Sequence, residues 1–330
     1  MNRTQKMFMP IWQPFTLIPA ETMIGSLSDE EERTVALAAH HYFQAKYESA
    51  AVESQRFLDS PCPEIRAAAL LLHGMANVGL GSAELVRADF AALTQAAQCP
   101  EDGKMAAVYD ALRFLLAVFF HTDGEIEPPR EEHAALLPEG TRLYLLYAVA
   151  HGLYLQKRYQ EALGVAKSAL MMAAGRFPSV CVYLNLVGSM VAANLHDAGL
   201  AARFFHRAWQ LAEPEDYIQP FVEHHGMLQG QIERHIRDAQ PGQYHRIAEK
   251  VMAFSRGWMQ IHNPDSVNKV TDRLSPYEFA LAMMAARGKS NQDIADYLHI
   301  SVNTVKAHLS VIYQKVEVTN RKELERFLNK

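Results

Sequence analysis

The chain of 330 residues has three cysteines, Cys62, Cys99 and Cys181, an odd number with no C-x-x-C spacing. This excludes a disulfide framework and a cysteine-built zinc site, and leaves free thiols in a reducing compartment as the expectation. Long apolar runs are also missing, since nothing approaches the roughly eighteen consecutive apolar residues that a membrane-spanning helix needs. The opening stretch MNRTQKMFMPIWQPFTLIPAE carries early basic charge, but Pro10, Pro14 and Pro19 interrupt any signal-peptide core, so a cytoplasmic protein is expected. β signals are scarce: Asn-Gly hairpin dipeptides do not occur and alternating Val/Ile/Thr runs are few. Surplus positive charge is lacking too, with a net charge of −5 that argues against generic nucleic-acid affinity.

The charge is unevenly spread. From Asp272 to Lys330 there are nine Lys and Arg against seven Asp and Glu, so this end is basic by +2 and the rest of the chain acidic by −7. Ala, Leu, Met, Gln and Glu are abundant, and apolar periodic segments of about 11 to 18 residues alternate with short breakers. Examples of the breakers are DSPCPE at 59–64, QCPEDG at 98–103, GRFPS at 175–179 and AEPED at 212–216. That rhythm predicts an all-α protein built from helix pairs. Tyr42, Gln44, Tyr47 and Ala50 recur in register as Tyr154, Gln156, Tyr159 and Ala162, 112 residues on, and Ala162 and Ala169 recur as Ala201 and Ala208, 39 on. With the His73-Gly74 and His151-Gly152 echo, 78 apart, the repeat unit is 34 to 39 residues. A small residue early in each second helix lets it approach the first, and such pairs bury their apolar faces only by stacking. This pattern, over roughly residues 30 to 212, resembles tetratricopeptide-type repeats. EDYIQPFVEHHGMLQGQIERHIRDA and GQYHRIAEKVMAFSRGWMQ read as two further helices that close the stack. Periodicity then lapses in IHNPDSVNKVTD, the natural linker.

Gly288-Lys289-Ser290 has the ending of a phosphate-binding loop, yet Met283 stands where the loop's first glycine belongs and a helical run precedes it. Helix punctuation accounts for it better. Ser275, Pro276 and Glu278 form a capping box, Gly288 stops that helix, and Ser290 caps a second with Ile294, Ala295 and Leu298 inward. Ser301 starts a third helix with Val305, Leu309, Ile312 and Val316 as one buried stripe. Asn320 with Glu323 opens a fourth, with Leu324, Phe327 and Leu328 inward. Four short helices with a tight turn between the second and third make a helix-turn-helix module. Facing away from the stripe on the third helix are Asn303, Lys306, Ala307, Ser310, Val311 and Gln314, the candidate base-facing set. No nucleophile–base pair, metal spacing or glycine-rich loop survives inspection, so neither an enzyme nor a cofactor is expected. The paired histidines His40-His41 and His224-His225 read as surface or core residues.

The segment LSPYEFALAMMAARGKSNQDIADYLHISVNTVKAHLSVIYQKVEVTNR resembles the DNA-binding domain of LuxR-type transcription regulators. The carriers are Leu274, Glu278, Gly288, Ser290, Asn291, Ile294-Ala295, Leu298, Ile300-Ser301, Thr304-Val305-Lys306, His308, Lys315, Val318 and Arg321. The resemblance implies that the third helix enters the major groove, where Lys306 donates to guanine and Ala307 touches a thymine methyl. It implies phosphate contacts from Lys289, Asn291, Thr304, His308, Lys315 and Arg321. It also implies homodimerisation through the last helix, whose outer face offers Lys322, Glu325, Arg326 and Asn329. Ser310 replaces a longer side chain common in the family, and Glu317 stands where Gly is usual. The helical part ahead is similar to that of MalT-type large regulators, without the length or Walker A loop for their ATPase domain. The expected organisation is an extended arm over 1–29, a tetratricopeptide-like solenoid over 30–260, a linker over 261–271, and a LuxR-type domain over 272–330. The expected function is a regulator that binds double-stranded DNA, with a small molecule or protein as effector of the helical part and no membrane partner. The alternative is a helical-repeat scaffold whose terminal module has lost DNA binding, suggested by Ala307, Ser310, Glu317 and the low charge.

Overall fold

The computed structural model describes residues 19–120, 127–262, 274, 276–286, 288–298 and 301–328, and these contain α-helix, 3-10 turns and no strand. The cap expected at Ser275, the turn at His299–Ile300, Asn329, the first eighteen residues and nearly all of the linker lie outside them. The helices are α1 (Ala20–Gly25), α2 (Glu30–Phe43), α3 (Tyr47–Gln55), α4 (Pro63–Leu80), α5 (Ala83–Gln98), α6 (Gly103–Phe119), α7 (Glu131–Leu136), α8 (Glu139–Leu155) and α9 (Tyr159–Ala173). There follow α10 (Pro178–Asn194), α11 (Ala198–Ala212), α12 (Gln219–His224), α13 (Gln231–His235), α14 (Pro241–His262), α15 (Pro276–Ala286), α16 (Asn291–Leu298), α17 (Val302–Lys315) and α18 (Arg321–Leu328). They gather into two compact units: the chain up to Asn77 with Glu84–Tyr217, and Val78–Ala83 with the described residues from Ile218 on.

In the first unit the sequence echoes correspond to repeated geometry. The α2–α3, α8–α9 and α10–α11 pairs each turn through a non-glycine residue in left-handed conformation: Ala45, Lys157 and His196, with φ of 56°, 63° and 60°. The turn closes the same way each time, through Lys46 N–H to His41 O (2.9 Å), Arg158 N–H to Leu153 O (2.9 Å) and Asp197 N–H to Ala192 O (3.0 Å). These are the 6→1 bonds of a Schellman cap, which satisfies carbonyls left open at a helix end. Ala50, Ala162 and Ala201 are completely buried one turn into the second helix of each pair. Close approach also explains Gly188 in α10, where a Cβ would sit 2.9 Å from the Phe204 ring of α11. Contacts reach beyond neighbouring pairs, since His40 Nδ1 lies 3.1 Å from the Tyr217 hydroxyl and Ala20 N–H donates to Glu215 Oε1 at 3.1 Å. The Phe43 ring packs on both Tyr183 and Tyr217.

The second unit corrects one expectation. The stretch from 217 to 235 is not a single helix but α12, a 3-10 turn at His225–Met227 and α13, separated by Gln229 and Gly230, both left-handed with φ of 54° and 83°. An isolated Gly costs a helix only about 1 kcal/mol, so the apolar period alone did not mark this break. α14 is one continuous helix, and it crosses the end of α4 so closely at Gly257 that a Cβ there would lie 1.7 Å from the Val78 carbonyl oxygen. The same unit holds α15 to α18, which enclose a small core of Leu274, Leu281, Met284, Ile294, Val305, Leu309, Ile312, Val316 and Leu324. Each such side chain contributes about 1.5–3 kcal/mol when removed from water, and a module this small depends on all of them.

Candidate nucleic-acid interface

α17 owes its position to its two ends and its stripe. The Ser301 hydroxyl accepts from Thr304 N–H at 3.0 Å, satisfying one of the orphan donors of the first turn. Val305, Leu309, Ile312 and Val316 are at most 4% exposed and fix the rotation of the helix. The helix stops at Glu317, whose φ of 58° allows Val318 N–H to close on Tyr313 O at 3.0 Å. Rotation being fixed, Asn303, Lys306, Ala307, Ser310, Val311 and Gln314 all point to solvent on the opposite side, and Val311 is 41% exposed, large for an apolar residue.

α16 and α18 are capped as the sequence indicates. The Ser290 hydroxyl accepts from Asp293 N–H at 3.1 Å while the Asp293 carboxylate accepts from Ser290 N–H at 2.9 Å, a reciprocal box. Asn320 Oδ1 accepts from Glu323 N–H at 2.9 Å, and the Glu323 carboxylate reaches one residue further back, to Thr319 N–H and hydroxyl. Those two bonds hold the Glu323 carboxyl below its ordinary range. Gly288 ends α15 with a φ of 84°, as expected for a helix stop. Lys289, one of the residues assigned to phosphate, is half-buried, and burial lowers the pKa of its ammonium, with Asp293 opposing.

The residues assigned to phosphate divide into two groups. Asn291 and Arg321 line an open groove of about 590 Å³ together with Lys306 and Ser310 of the base-facing set, over Leu309 and Tyr313. Tyr313 was not among the sequence candidates, although it lies one heptad beyond Lys306 and so on the same side of α17. Arg321 is built into the module: its guanidinium donates to the Lys289 carbonyl and, at 2.6 Å, to Asn291 Oδ1. Lys315 lies at the far end of α17 and donates to both carboxylate oxygens of Glu278 at 2.7 and 2.8 Å. Glu278 itself is nearly buried in α15, with a side chain 10% exposed against 40% for Lys315. Thr304 shares a 2.8 Å hydrogen bond with Ser301, and His308 is half-buried on the flank of the helix. Lys322, Glu325 and Arg326 stand exposed along α18.

Elsewhere, several histidines have carboxylate partners that local spacing could not reveal. His41 meets Glu53 at 2.9 Å, His73 meets Asp89 at 2.7 Å, His225 meets Glu233 at 2.9 Å, and His133 pairs with Asp110. Among the described residues no group of three or more His, Cys, Asp or Glu is arranged to hold a metal ion, and no helix is long and apolar enough to cross a membrane.

Comparison with known proteins places a family on this geometry. Residues 272–328 match the model of the LuxR family of bacterial regulatory proteins. Curated relatives include the response regulator protein VraR of Staphylococcus aureus strains Mu3 and NCTC 8325, each 35% identical over 85 residues. That alignment covers 23% of this chain and 40% of the relative, so the chain spans about two fifths of the length of the relatives it matches. No solved structure matches the chain. The caps of α16, α17 and α18, the buried stripe of α17 and the family match together make residues 272–328 a LuxR-family helix-turn-helix domain.

Proposed function

We propose that the chain is a DNA-binding transcription regulator in which α17 reads the major groove and the helical part ahead of it receives the signal. The observation that carries this reading is the clean division of α17, with its apolar stripe buried and Asn303, Lys306, Ala307, Ser310, Val311 and Gln314 presented together to solvent. An α-helix fits the B-DNA major groove, and a Lys opposite guanine with small or apolar groups opposite thymine methyls gives readout at low cost in side-chain entropy. Phosphate contacts come from Asn291 and Arg321 in the groove, from Lys289, and from Thr304, His308 and Lys315 along the helix. A module of net charge +2 neutralises few phosphates, so two copies joined through α18 on a two-fold site supply the affinity. The tetratricopeptide-like stack, acidic and rich in buried tyrosines, is the effector-responsive part, taking a small molecule or a protein.

The test is a gel shift on DNA upstream of the protein's own coding region at low salt, comparing wild type with Lys306→Glu. A wild-type shift weakened at least about tenfold by the substitution is expected, from losing one base contact and adding a repulsive charge. No shift by either protein refutes the regulator and leaves the helical-repeat scaffold, which the short side chains of Ala307 and Ser310 favour. A footprint the size of one module at saturating protein would refute the dimer.

A further inference from the structure

The turn between α12 and α13 buries more unsatisfied polarity than any apolar packing role explains. Gln229 and Gln231 are each 1% exposed, and neither the oxygen nor the nitrogen of either carboxamide has a hydrogen-bond partner among the described residues. His225 is 3% exposed, and its Nδ1 is also without a partner. Proteins pair the large majority of buried polar side-chain atoms, so five open atoms within seven residues are a concentrated exception. The stretch is also held in shape. His225 Nε2 is bonded to Glu233 at 2.9 Å across its ends, and the left-handed pair Gln229-Gly230 turns the chain between them.

We propose that the His225–Glu233 turn is a binding site for a small neutral molecule bearing a hydrogen-bond donor beside an acceptor, the edge shown by amides, ureides and nucleobases. A carboxamide carries a carbonyl acceptor next to an N–H donor, so its best partner carries the complementary pair, as when Gln meets the edge of adenine. Two carboxamides two residues apart offer two such edges, and His225 Nδ1 adds one more position. Neutrality follows because the carboxylate of Glu233, 4% exposed, is already engaged by His225 Nε2 at 2.9 Å. Burial raises the Glu233 carboxyl, but His225, a backbone hydrogen bond and the Arg237 charge together more than offset it and keep it below its ordinary range, so it remains ionised and engaged.

The place of the site gives it a consequence. The His225–Met227 turn packs against α15, the first helix of the helix-turn-helix domain and the one that carries Glu278. Resting on the regulatory reading above, this makes the turn the point at which occupancy reaches the DNA-binding module.

The test uses the full chain and two thermal-unfolding measurements. The first compares wild type with the double variant Gln229→Met/Gln231→Met without additive. Met keeps the length of the side chain and, being unbranched, meets the same backbone conformation. If the amides are open for a ligand, removing them relieves buried polarity and Tm rises by about 2 °C or more. A Tm that falls or stays put means that ordered water or the chain already satisfies them, and overturns the proposal. The second adds nicotinamide, uracil or adenine at millimolar concentration. At least one is expected to raise the wild-type Tm by about 2 °C or more and leave the double variant unmoved. No shift with any of the three, or a shift that survives in the double variant, overturns the site. Failure of the regulatory reading looks different: a probe binds as expected and the full chain still does not shift DNA.

Discussion

The Glu278–Lys315 pair allows the charge that the module offers to DNA to be changed from a position that touches no DNA. The cations of the proposed DNA face are Lys289, Lys306, Arg321 and Lys315. The fourth, Lys315, is neutralised by Glu278 at 2.7 Å. Each phosphate neutralised contributes about 0.9 to the slope of log K against log salt, so three per module give about −2.7, and two modules about −5. Glu278→Gln keeps a carbonyl for Lys315 to bond but releases its charge. The slope should then steepen by about 0.9 per module, to about −7 for the dimer. Between about 50 and 200 mM salt the variant therefore loses roughly tenfold more affinity than wild type, while binding more tightly at the low end. The cost to folding is small, about 1 kcal/mol, because Lys315 is 40% exposed and solvent already screens the pair. Fluorescence anisotropy of a labelled duplex across that salt range measures the slope, and a parallel melt confirms that the variant is folded. An unchanged slope in a folded variant refutes the reasoning, for it means that Glu278 does not govern whether Lys315 meets phosphate.

Other consequences are as direct. Gly257→Ala places a Cβ 1.7 Å from the Val78 carbonyl oxygen; with backbone on both sides, stability should drop by about 3 kcal/mol or more in denaturant unfolding, and a near-neutral result would show that α14 does not cross α4 there. Glu317 holds a left-handed φ of 58°; Glu317→Gly should stabilise the second unit by about 1 kcal/mol and Glu317→Ala should not, since only glycine removes the steric penalty. Burial lowers the His224 imidazole to about 4, against the opposing pull of the Pro220 carbonyl. The folded chain then binds fewer protons than the unfolded chain between about pH 4 and 6.5. This contribution is complete above about pH 6.5 and is lost as pH falls toward 4, at up to about 1.4 kcal/mol per pH unit. Urea unfolding at pH 7, 5.5 and 4.5 checks it, and His224→Gln should flatten the dependence by one proton.

The helix-turn-helix domain was largely legible because its information is local. Ser290, Ser301 and Asn320 cap the helices they precede, Gly288 is where the first one stops, and the +4, +3, +4 spacing from Val305 to Val316 sets which face of α17 is free. The helix pairs were legible for the same reason, their register written in Tyr42 and Tyr154 and in Ala50 and Ala162. What escaped depends on residues far apart in sequence. Lys315 and Glu278 are 37 residues apart and Arg321 and Lys289 are 32 apart, so no window shows that side chains read as phosphate ligands also hold the module together. The left-handed residue at Gln229 escaped as well, because glutamine has no intrinsic preference for it and tertiary packing decides.

Arg321 is the first residue of α18, yet its guanidinium grips the carbonyl after α15 and the first side chain of α16. One planar fork thus fastens the chain just past the end of α15 to the starts of α16 and α18 at a single point, and α17 packs into the same core. A displacement of α18 therefore carries α17 with it, since Leu324 packs in one core with Val305, Leu309 and Ile312. On the proposed regulatory reading, control of such a part takes the form of a clutch, engaging or withdrawing the whole head from its track and not bending the teeth.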